Sequence, residues 1–308
     1  MNTQPILTTQ NIKKSFGDIE AVRGVNLTVF SGEAFGLLGP NGAGKSTIIG
    51  MTLGLLQPTA GSLKIFGETQ NGSSKHLNRR IGATLETNAF YPYLSGRDNL
   101  RVFARALGGV PSARIENLLD FVGLQARAGS RFQTYSTGMK QRLNLACALL
   151  TDPELILLDE PTVGLDPAGM RDVRELIGEL VSQGKTIFLA SHMLHEVEQV
   201  CLRVAVLNRG ELLAQGLVDE LVHRDKALRL EVSDLQAAAS HLASLPNIGP
   251  VTMENGYLNI EANLEDAERI SAHLAQASIY PRRIEPVGSD LEDFFMDLTA
   301  GETAERVQ

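Results

Sequence analysis

The chain has 308 residues, with 28 Lys and Arg against 36 Asp and Glu, so its formal net charge is −8. A net acidic chain without Trp is a poor match for proteins that bind a nucleic-acid backbone over a broad surface, and we expect no nucleic-acid partner. The length predicts roughly two domains. Because the net charge is negative, we expect any polyphosphate to be held in a compact site by backbone amides instead of by a broad basic surface.

The N-terminal part of the chain alternates predicted strands with predicted helices. Strands are expected at two stretches within residues 5–32, and at residues 34–38, 62–67, 80–86, 155–159 and 186–191. Helices are expected at residues 46–56, 95–129, 137–150 and 169–182. This alternation is typical of an α/β fold with a parallel sheet and right-handed crossovers. The helical block at about residues 87–150 predicts a helical subdomain on that core.

The pattern changes after about residue 225. Strands are expected at residues 228–232, on both sides of the turn Glu254-Asn255-Gly256, and at residues 280–287, with helices at residues 234–245 and 264–277. This βαββαβ order is the split ferredoxin-like pattern, which predicts a small α+β domain. A last helix is expected from Ser289, because Glu292 completes a capping box. We therefore divide the chain into domains at residues 1–225 and 226–308.

A glycine-rich loop stands between the strand at residues 34–38 and the next helix. Its sequence, GPNGAGKST at residues 39–47, fits G-x-x-x-x-G-K-[ST] with the strand and helix that this motif requires. The glycines let backbone amides surround a phosphate, and the helix N-terminus adds partial positive charge. Lys45 is expected to reach the β- and γ-phosphates, and Ser46 to bind Mg²⁺. The residues of this loop that we expect to bind the nucleotide are Gly39, Asn41, Gly42, Gly44, Lys45, Ser46 and Thr47.

An acidic pair ends the apolar strand LILLD at residues 155–159. Ligands of open α/β sheets gather at this end of a strand, so Asp159 is the expected carboxylate near Mg²⁺. Glu160 is placed to polarise a water molecule against the γ-phosphate. An isolated Asp-Glu pair is commonly a solvated strand end, but the phosphate loop upstream favours the chemical interpretation.

Residues 135–143, YSTGMKQRL, precede this acidic strand and resemble the signature of ATP-binding cassette (ABC) transporter ATPases. The resemblance covers about residues 5–220 and implies a P-loop NTPase cassette, with a RecA-like core and a helical subdomain. Ser136 and Gly138 match the signature, whereas Thr137 and Met139 depart from its commonest form. The resemblance implies an ATPase that converts ATP and water to ADP and phosphate with Mg²⁺ as cofactor.

Further residues take their roles from the same resemblance. Asp166 lies in a segment similar to the D-loop, His192 fits the switch histidine that contacts the γ-phosphate, and Phe16 takes the place of the aromatic that stacks on adenine. Each ATP is then held between the phosphate loop of one subunit and Ser136 of a second. The resemblance therefore implies a homodimer.

Glu86 is the clearest departure from the family pattern. Most members have a Gln here that senses Mg²⁺ and the membrane partner, and Glu resembles the subunits of bacitracin- and antibiotic-peptide exporters. The carboxylate is compatible with binding metal or water, although its charge changes what is expected of the coupling to the membrane partner. The alternative is that Glu86 is a solvated acid at a strand end.

His192 also invites a metal interpretation, because His192 and His195 are three residues apart on a possible helix. The spacing is not the H-E-x-x-H of zinc proteases, and the sequence has no cluster that offers a third ligand. The γ-phosphate role is therefore favoured, with His195 at the surface.

The sequence contains no run of the ~18 to 20 apolar residues that a membrane span needs, and its N-terminus lacks the signal-peptide pattern. We therefore expect a cytoplasmic protein. The resemblance implies that it is peripheral on the cytoplasmic face of the membrane, where it drives a separately encoded membrane permease for antibiotic export. Two alternatives stay open: an ATPase that drives a soluble assembly, and an importer subunit with a regulatory tail.

Overall fold

The computed structural model describes residues 4–72, 75–84, 90–222, 227–254, 256–262, 264–287, 291–292, 294–296 and 298. The strands are β1 (Pro5–Phe16), β2 (Ile19–Phe30), β3 (Ala34–Leu38), β4 (Ala60–Ile65), β5 (Glu68–Thr69), β6 (Ile81–Thr84), β7 (Leu155–Asp159), β8 (Thr186–Ser191), β9 (Arg203–Asn208), β10 (Glu211–Leu217), β11 (Ala227–Glu231), β12 (Val251–Glu254), β13 (Tyr257–Glu261) and β14 (Arg283–Val287). The α-helices are α1 (Lys45–Thr52), α2 (Lys75–Arg79), α3 (Gly96–Ala106), α4 (Ser112–Phe121), α5 (Thr137–Ala148), α6 (Pro167–Ser182), α7 (Leu194–Glu198), α8 (Val218–Val222), α9 (Leu235–Leu242) and α10 (Ala267–Gln276).

The central sheet has the strand order β10-β9-β3-β8-β7-β6. Its strands pair in parallel, apart from the antiparallel pair of β10 and β9. Every residue of β3, β7 and β8 is buried, which is why these strands read as continuous apolar runs. Their carboxyl ends meet at one edge of the sheet. The glycine-rich loop follows β3 at that edge, and the acidic pair stands at the end of β7, with Asp159 as its last residue and Glu160 directly after it.

An antiparallel sheet with the order β2-β1-β4-β5 shares a hydrophobic core with the central sheet. Helix α1 contributes Ile48, Ile49 and Met51 to this core and contacts strands of both sheets. The helix expected over residues 46–56 ends at Thr52, because the chain turns left-handed at Gly54, with φ of +71°. The core therefore fixes α1, and with it the loop that precedes the helix.

Helices α3, α4 and α5 form the helical block that follows β6. The stretch expected to be helical over residues 95–129 breaks between α3 and α4, where Gly108 and Gly109 have positive φ. Arg97 of α3 holds Glu116 of α4 through two hydrogen bonds of 2.7 and 2.9 Å. Helix α5 packs on β6 so closely that a Cβ at Gly82 would lie 2.2 Å from the Ala148 carbonyl oxygen.

The chain forms two compact units, Met1–Leu217 and Val218–Gln308. The domain boundary expected between residues 225 and 226 lies after the division at Leu217 and before the start of β11 at Ala227. The expected boundary stays a prediction. Within the second unit the sheet order is β12-β13-β11-β14, with α9 and α10 packed on each other. The antiparallel pairing and the βαββαβ order agree with the ferredoxin-like pattern. Asn255 and Ser289 lie outside the described residues.

No helix within the described residues combines the length and apolar character needed to cross a membrane.

Candidate functional site

The glycine-rich loop joins β3 to α1 and has a backbone that only glycine adopts readily. Gly44 caps α1 with φ of +106°, and a Cβ there would lie 2.5 Å from the Ala21 carbonyl oxygen. Gly42 has φ of +82°, and a Cβ at Gly39 would lie 2.2 Å from the Leu207 carbonyl oxygen. The loop therefore approaches its neighbours closely and presents the N-terminus of α1, whose first N–H groups have no intrahelical acceptor. This is the geometry that binds phosphate.

Lys45 is buried at the start of α1. Its Nζ donates hydrogen bonds to the carbonyl oxygens of Gly39, at 2.6 Å, and Pro40, at 3.3 Å. The same ammonium lies 3.3 Å from Oε1 of Glu160, although the side chains are only 6% and 11% exposed. Low exposure strengthens this ion pair, since water screens it little. Lys45 and Glu160, which the sequence assigns to separate motifs, therefore meet in one site.

A cavity of about 470 Å³ opens over the loop. It is lined by residues 40–47 together with Ala21, Glu160, Val163 and His192. The volume lies within the range of small-molecule sites. Six of the expected loop residues line the cavity, namely Asn41, Gly42, Gly44, Lys45, Ser46 and Thr47. Ala21 and Val163 were not expected to line the cavity. Ala21 belongs to no predicted motif, and Val163 lies in the segment similar to the D-loop, for which no contact with the cavity was predicted.

Glu160 follows β7 in a left-handed backbone conformation, with φ of +50°. Its N–H donates to the Ala190 carbonyl oxygen at 2.9 Å. Its Oε2 lies 2.9 Å from His192 Nδ1 and accepts from Ser191 Oγ at 3.3 Å and from the His192 backbone N–H at 3.4 Å. A left-handed residue other than glycine costs on the order of 1 kcal/mol, and such strain is concentrated at functional sites. The carboxylate is thus held in a fixed orientation above the loop.

Asp159 is the last residue of β7 and is buried. Ser46, on the first turn of α1, is exposed and lines the cavity. A carboxylate and a hydroxyl are the oxygen donors that Mg²⁺ takes from protein when phosphates supply further ligands, so these residues fit the cation. Glu86, the third expected metal ligand, lies outside the described residues.

The structure gives His192 and His195 separate surroundings. His192 faces Glu160, whereas Nε2 of His195 lies 2.7 Å from Nε2 of Gln199. Among the described residues, no group of three or more His, Cys, Asp or Glu side chains is arranged to hold a metal ion. The His192 geometry therefore favours a role beside Glu160 over metal binding through His195.

The expected signature residues are Ser136 and Gly138, at the start of α5. Ser136 is exposed at the N-terminus of α5, and its Oγ accepts from the Met139 N–H at 3.3 Å. In the part of the chain that the structure describes, neither Ser136 nor Gly138 is among the residues that line the cavity. Contact between the expected signature and a nucleotide held by the phosphate loop of the same chain is therefore not part of the described cavity.

The segment that follows Glu160 packs against the start of α5. A Cβ at Gly164 would lie 3.6 Å from Cγ2 of Thr137, and one at Gly138 would lie 3.8 Å from Cδ2 of Leu165. Asp166 caps α6 by accepting from the Gly169 N–H at 3.0 Å. The segment therefore connects the acidic pair with the signature helix.

Phe16, expected to stack on adenine, ends β1 with 47% of its surface exposed. Lys14 Nζ lies 5.0 Å from the centre of its ring. Within the described residues, the cavity lining does not include Phe16. The exposed ring is open to a ligand, and its role stays a prediction.

Residues 22–163 match the protein family described as ABC transporter. The chain is 36% identical over 298 residues to the bacitracin transport ATP-binding protein of Enterococcus faecalis, covering 96% of this chain and 97% of that protein. It is 44% identical over 216 residues to the Nod factor export ATP-binding protein I of a Rhizobium species, covering 68% of this chain and 70% of that protein. A solved ATP-binding subunit of an ABC transporter superposes with a TM-score of 0.63 at 31% identity, covering 70% of this chain and 91% of that structure.

Proposed function

We propose how the residues of this chain hydrolyse ATP and what the hydrolysis drives. The proposal starts from the fact that the chain belongs to the ABC transporter family as an ATP-hydrolysing subunit. One observation carries the proposal. Lys45 from the phosphate loop, Glu160 from the end of β7 and His192 from the end of β8 line the same cavity. Their ion pair and hydrogen bond put a cation and a carboxylate where the terminal phosphate of ATP is expected.

In this proposal the phosphate loop binds ATP, and Lys45 exchanges its contact with Glu160 for the β- and γ-phosphates. Glu160 then accepts a proton from water while the water oxygen attacks the γ-phosphorus and the bond to the β-phosphate oxygen breaks. The products are ADP and inorganic phosphate. Ser46 and Asp159 hold Mg²⁺, which supplies charge neutralisation on the phosphates when bound. His192 keeps the Glu160 carboxylate oriented and contacts the γ-phosphate.

The functional unit in this proposal is a homodimer with two composite sites. Ser136 and its helix N-terminus are exposed and, among the described residues, do not line the cavity of their own chain. A second copy in head-to-tail orientation brings this surface over the phosphate loop. Two ATP molecules then join the subunits, and hydrolysis separates them.

The direction of transport in this proposal is export. Relatives of this chain are named for bacitracin transport, for linearmycin resistance and for Nod factor export. We place the chain in the cytoplasm, bound at the cytoplasmic face of the membrane to a separately encoded permease that the closing and opening of the dimer moves.

Co-purification tests the partner directly. Tagged Glu160→Gln protein, extracted with mild detergent in Mg²⁺ and ATP, is expected to retain a membrane protein with several apolar spans. Tagged Lys45→Ala protein is expected to retain less of this membrane protein, and adding ATP is expected to increase the retained amount less than it does for Glu160→Gln. Reconstituted vesicles then report the direction of transport. Recovery of soluble proteins alone, or dependence of transport on an extracytoplasmic binding protein, would contradict an exporter.

We propose that the C-terminal domain, residues 226–308, supports dimerisation or regulation. The domain has a buried hydrophobic core of its own, which supports a role as a separate module. Deletion of residues 226–308 is expected to weaken ATP-dependent dimerisation, measured by sedimentation, while leaving ATP binding by the cassette intact. If dimerisation, ATPase rate and transport are all unchanged by the deletion, the domain has neither role and acts only as a spacer.

A further inference from the structure

Two helices that follow the catalytic segments are joined by an ion pair. Helix α6 starts directly after Asp166, at the end of the segment that begins with Glu160, and α7 starts two residues after His192. Arg174 on α6 places its guanidinium 3.4 Å from Oε1 of Glu196 on α7. Arg174 also donates to the side-chain carbonyl of Gln199, the residue that caps α7. One arginine therefore holds α7 at two points.

The pair is buried to a degree that surface ion pairs do not reach. The side chains of Arg174 and Glu196 are 21% and 11% exposed. Oε2 of Glu196 is fully buried and has no hydrogen-bond partner among the described residues. A buried carboxylate that is only half satisfied costs stability and calls for an explanation. Arg174 supplies the positive charge in the 3.4 Å contact, so the position of Glu196 depends on α6.

The position of α7 is passed on to Glu160 through a short chain of contacts. The Met193 N–H donates to Ser191 Oγ at 3.0 Å, and Ser191 Oγ donates to Oε2 of Glu160 at 3.3 Å. Sδ of Met193 also lies 3.8 Å from Oγ1 of Thr162, in the segment that follows Glu160. Because His192 lies between Ser191 and Met193, a shift of α7 moves the imidazole that faces Glu160.

We propose that Arg174 and Glu196 are positioning residues for ATP hydrolysis. Their ion pair fixes α7 against α6, and this keeps His192 and Ser191 in the places from which they orient the Glu160 carboxylate. The inference rests on the hydrolytic roles proposed for Glu160 and His192. It predicts a defect in the chemical step with ATP affinity preserved, since neither residue is among the described residues that line the cavity.

A matched control pair lies at the opposite edge of the central sheet. Arg203 and Glu33 form an ion pair of 3.2 Å, with side chains 18% and 7% exposed. Arg203 opens β9 and Glu33 directly precedes β3, so both stand where these parallel strands begin. Removing the Glu33 charge thus removes an equally buried ion pair without touching the cavity.

The test measures steady-state ATPase kinetics of the full chain. Rates are divided by the concentration of ATP-binding sites, so that unfolded protein does not lower the apparent kcat. Arg174→Met and Glu196→Gln are each expected to lower kcat about 5- to 20-fold and to change the KM for ATP less than about 2-fold. The conservative Arg174→Lys is expected to regain most of the rate, and the double variant to be no slower than the slower single variant. Glu33→Gln is expected to keep kcat within about 2-fold of the parent chain.

The outcomes separate this inference from the proposed function. A kcat per site within about 2-fold of the parent in both Arg174→Met and Glu196→Gln would overturn the positioning role, as would an equal loss in Glu33→Gln or strictly additive losses in the double variant. If Arg174→Met fails to fold, the isosteric Glu196→Gln decides. Glu160→Gln run alongside tests the proposed function separately, because its loss of turnover does not depend on Arg174.

Discussion

His192 Nδ1 lies 2.9 Å from Oε2 of Glu160, although the two residues are 32 positions apart in the chain. The contact follows from the sheet topology, since β7 and β8 are neighbours and each residue directly follows the end of its strand. In the tautomer protonated at Nδ1, the imidazole donates to the carboxylate. The carboxylate orientation is therefore fixed by a residue from the next strand.

The first prediction concerns Gly44, whose φ of +106° and contact with the Ala21 carbonyl oxygen leave no room for a side chain. Gly44→Ala is expected to weaken ATP binding at least about 10-fold, because the loop must shift to relieve a Cβ contact of 2.5 Å. Calorimetric titration with ATP measures the change.

Gly184→Ala is the matched control for Gly44. Its φ is +84°, and within the described residues no atom lies within 4 Å of the added Cβ. It therefore carries the backbone strain, about 1 kcal/mol, without disturbing the loop. Equal ATP affinity in both variants would show that the loop geometry at Gly44 is not needed for nucleotide binding.

The second prediction tests the composite site by complementation. Lys45→Ala is expected to be inactive because it loses the phosphate contact. Ser136→Arg is expected to be inactive because the larger side chain blocks the contact between the signature and the ATP of the partner subunit. An equimolar mixture pairs an intact phosphate loop with an intact signature at one site of each mixed dimer. The mixture is expected to recover about a quarter of the parent ATPase rate if dimers form at random and sites act independently. A mixture as inactive as its components, with dimers present by sedimentation, would place the complete site within one chain.

The third prediction concerns the pH dependence of stability. Burial raises the pKa of the Glu33 carboxyl above its ordinary value of 4.5, against the opposing effects of the Phe30 N–H and Arg203. Between the unfolded and folded pKa values the folded chain retains a proton that the unfolded chain releases, so this group's contribution to stability falls as pH rises. The urea midpoint of the parent chain relative to Glu33→Gln is expected to decrease as pH rises from about 4.5. A relative midpoint that increases with pH would mean that the Arg203 ion pair outweighs burial.

Local sequence determines the parts of the site that a single segment builds. The phosphate loop lies between β3 and α1, as its spacing predicts, and the apolar runs LILLD and TIFLAS match β7 and β8 residue for residue. Strands β9 and β10 were not expected, because short mixed segments such as RVAVLN have no distinctive period.

Contacts between distant segments cannot be read from spacing. Neither the Lys45–Glu160 ion pair nor the support of Glu160 by Ser191 was predicted, since both depend on which strands are neighbours in the sheet. The left-handed backbone of Glu160 carries no sequence signal either, because glutamate rarely adopts it. The sequence thus predicts which groups react, and the fold shows how those side chains are oriented relative to one another.

The central claim, that Glu160 accepts the proton from the attacking water, is tested most directly by Glu160→Gln. The amide keeps the shape of the side chain but cannot act as a base at neutral pH. We expect ATP turnover to fall at least about 100-fold, while calorimetry finds ATP affinity within about 3-fold of the parent chain and sedimentation finds dimers that persist in ATP. Full turnover in Glu160→Gln would contradict the claim.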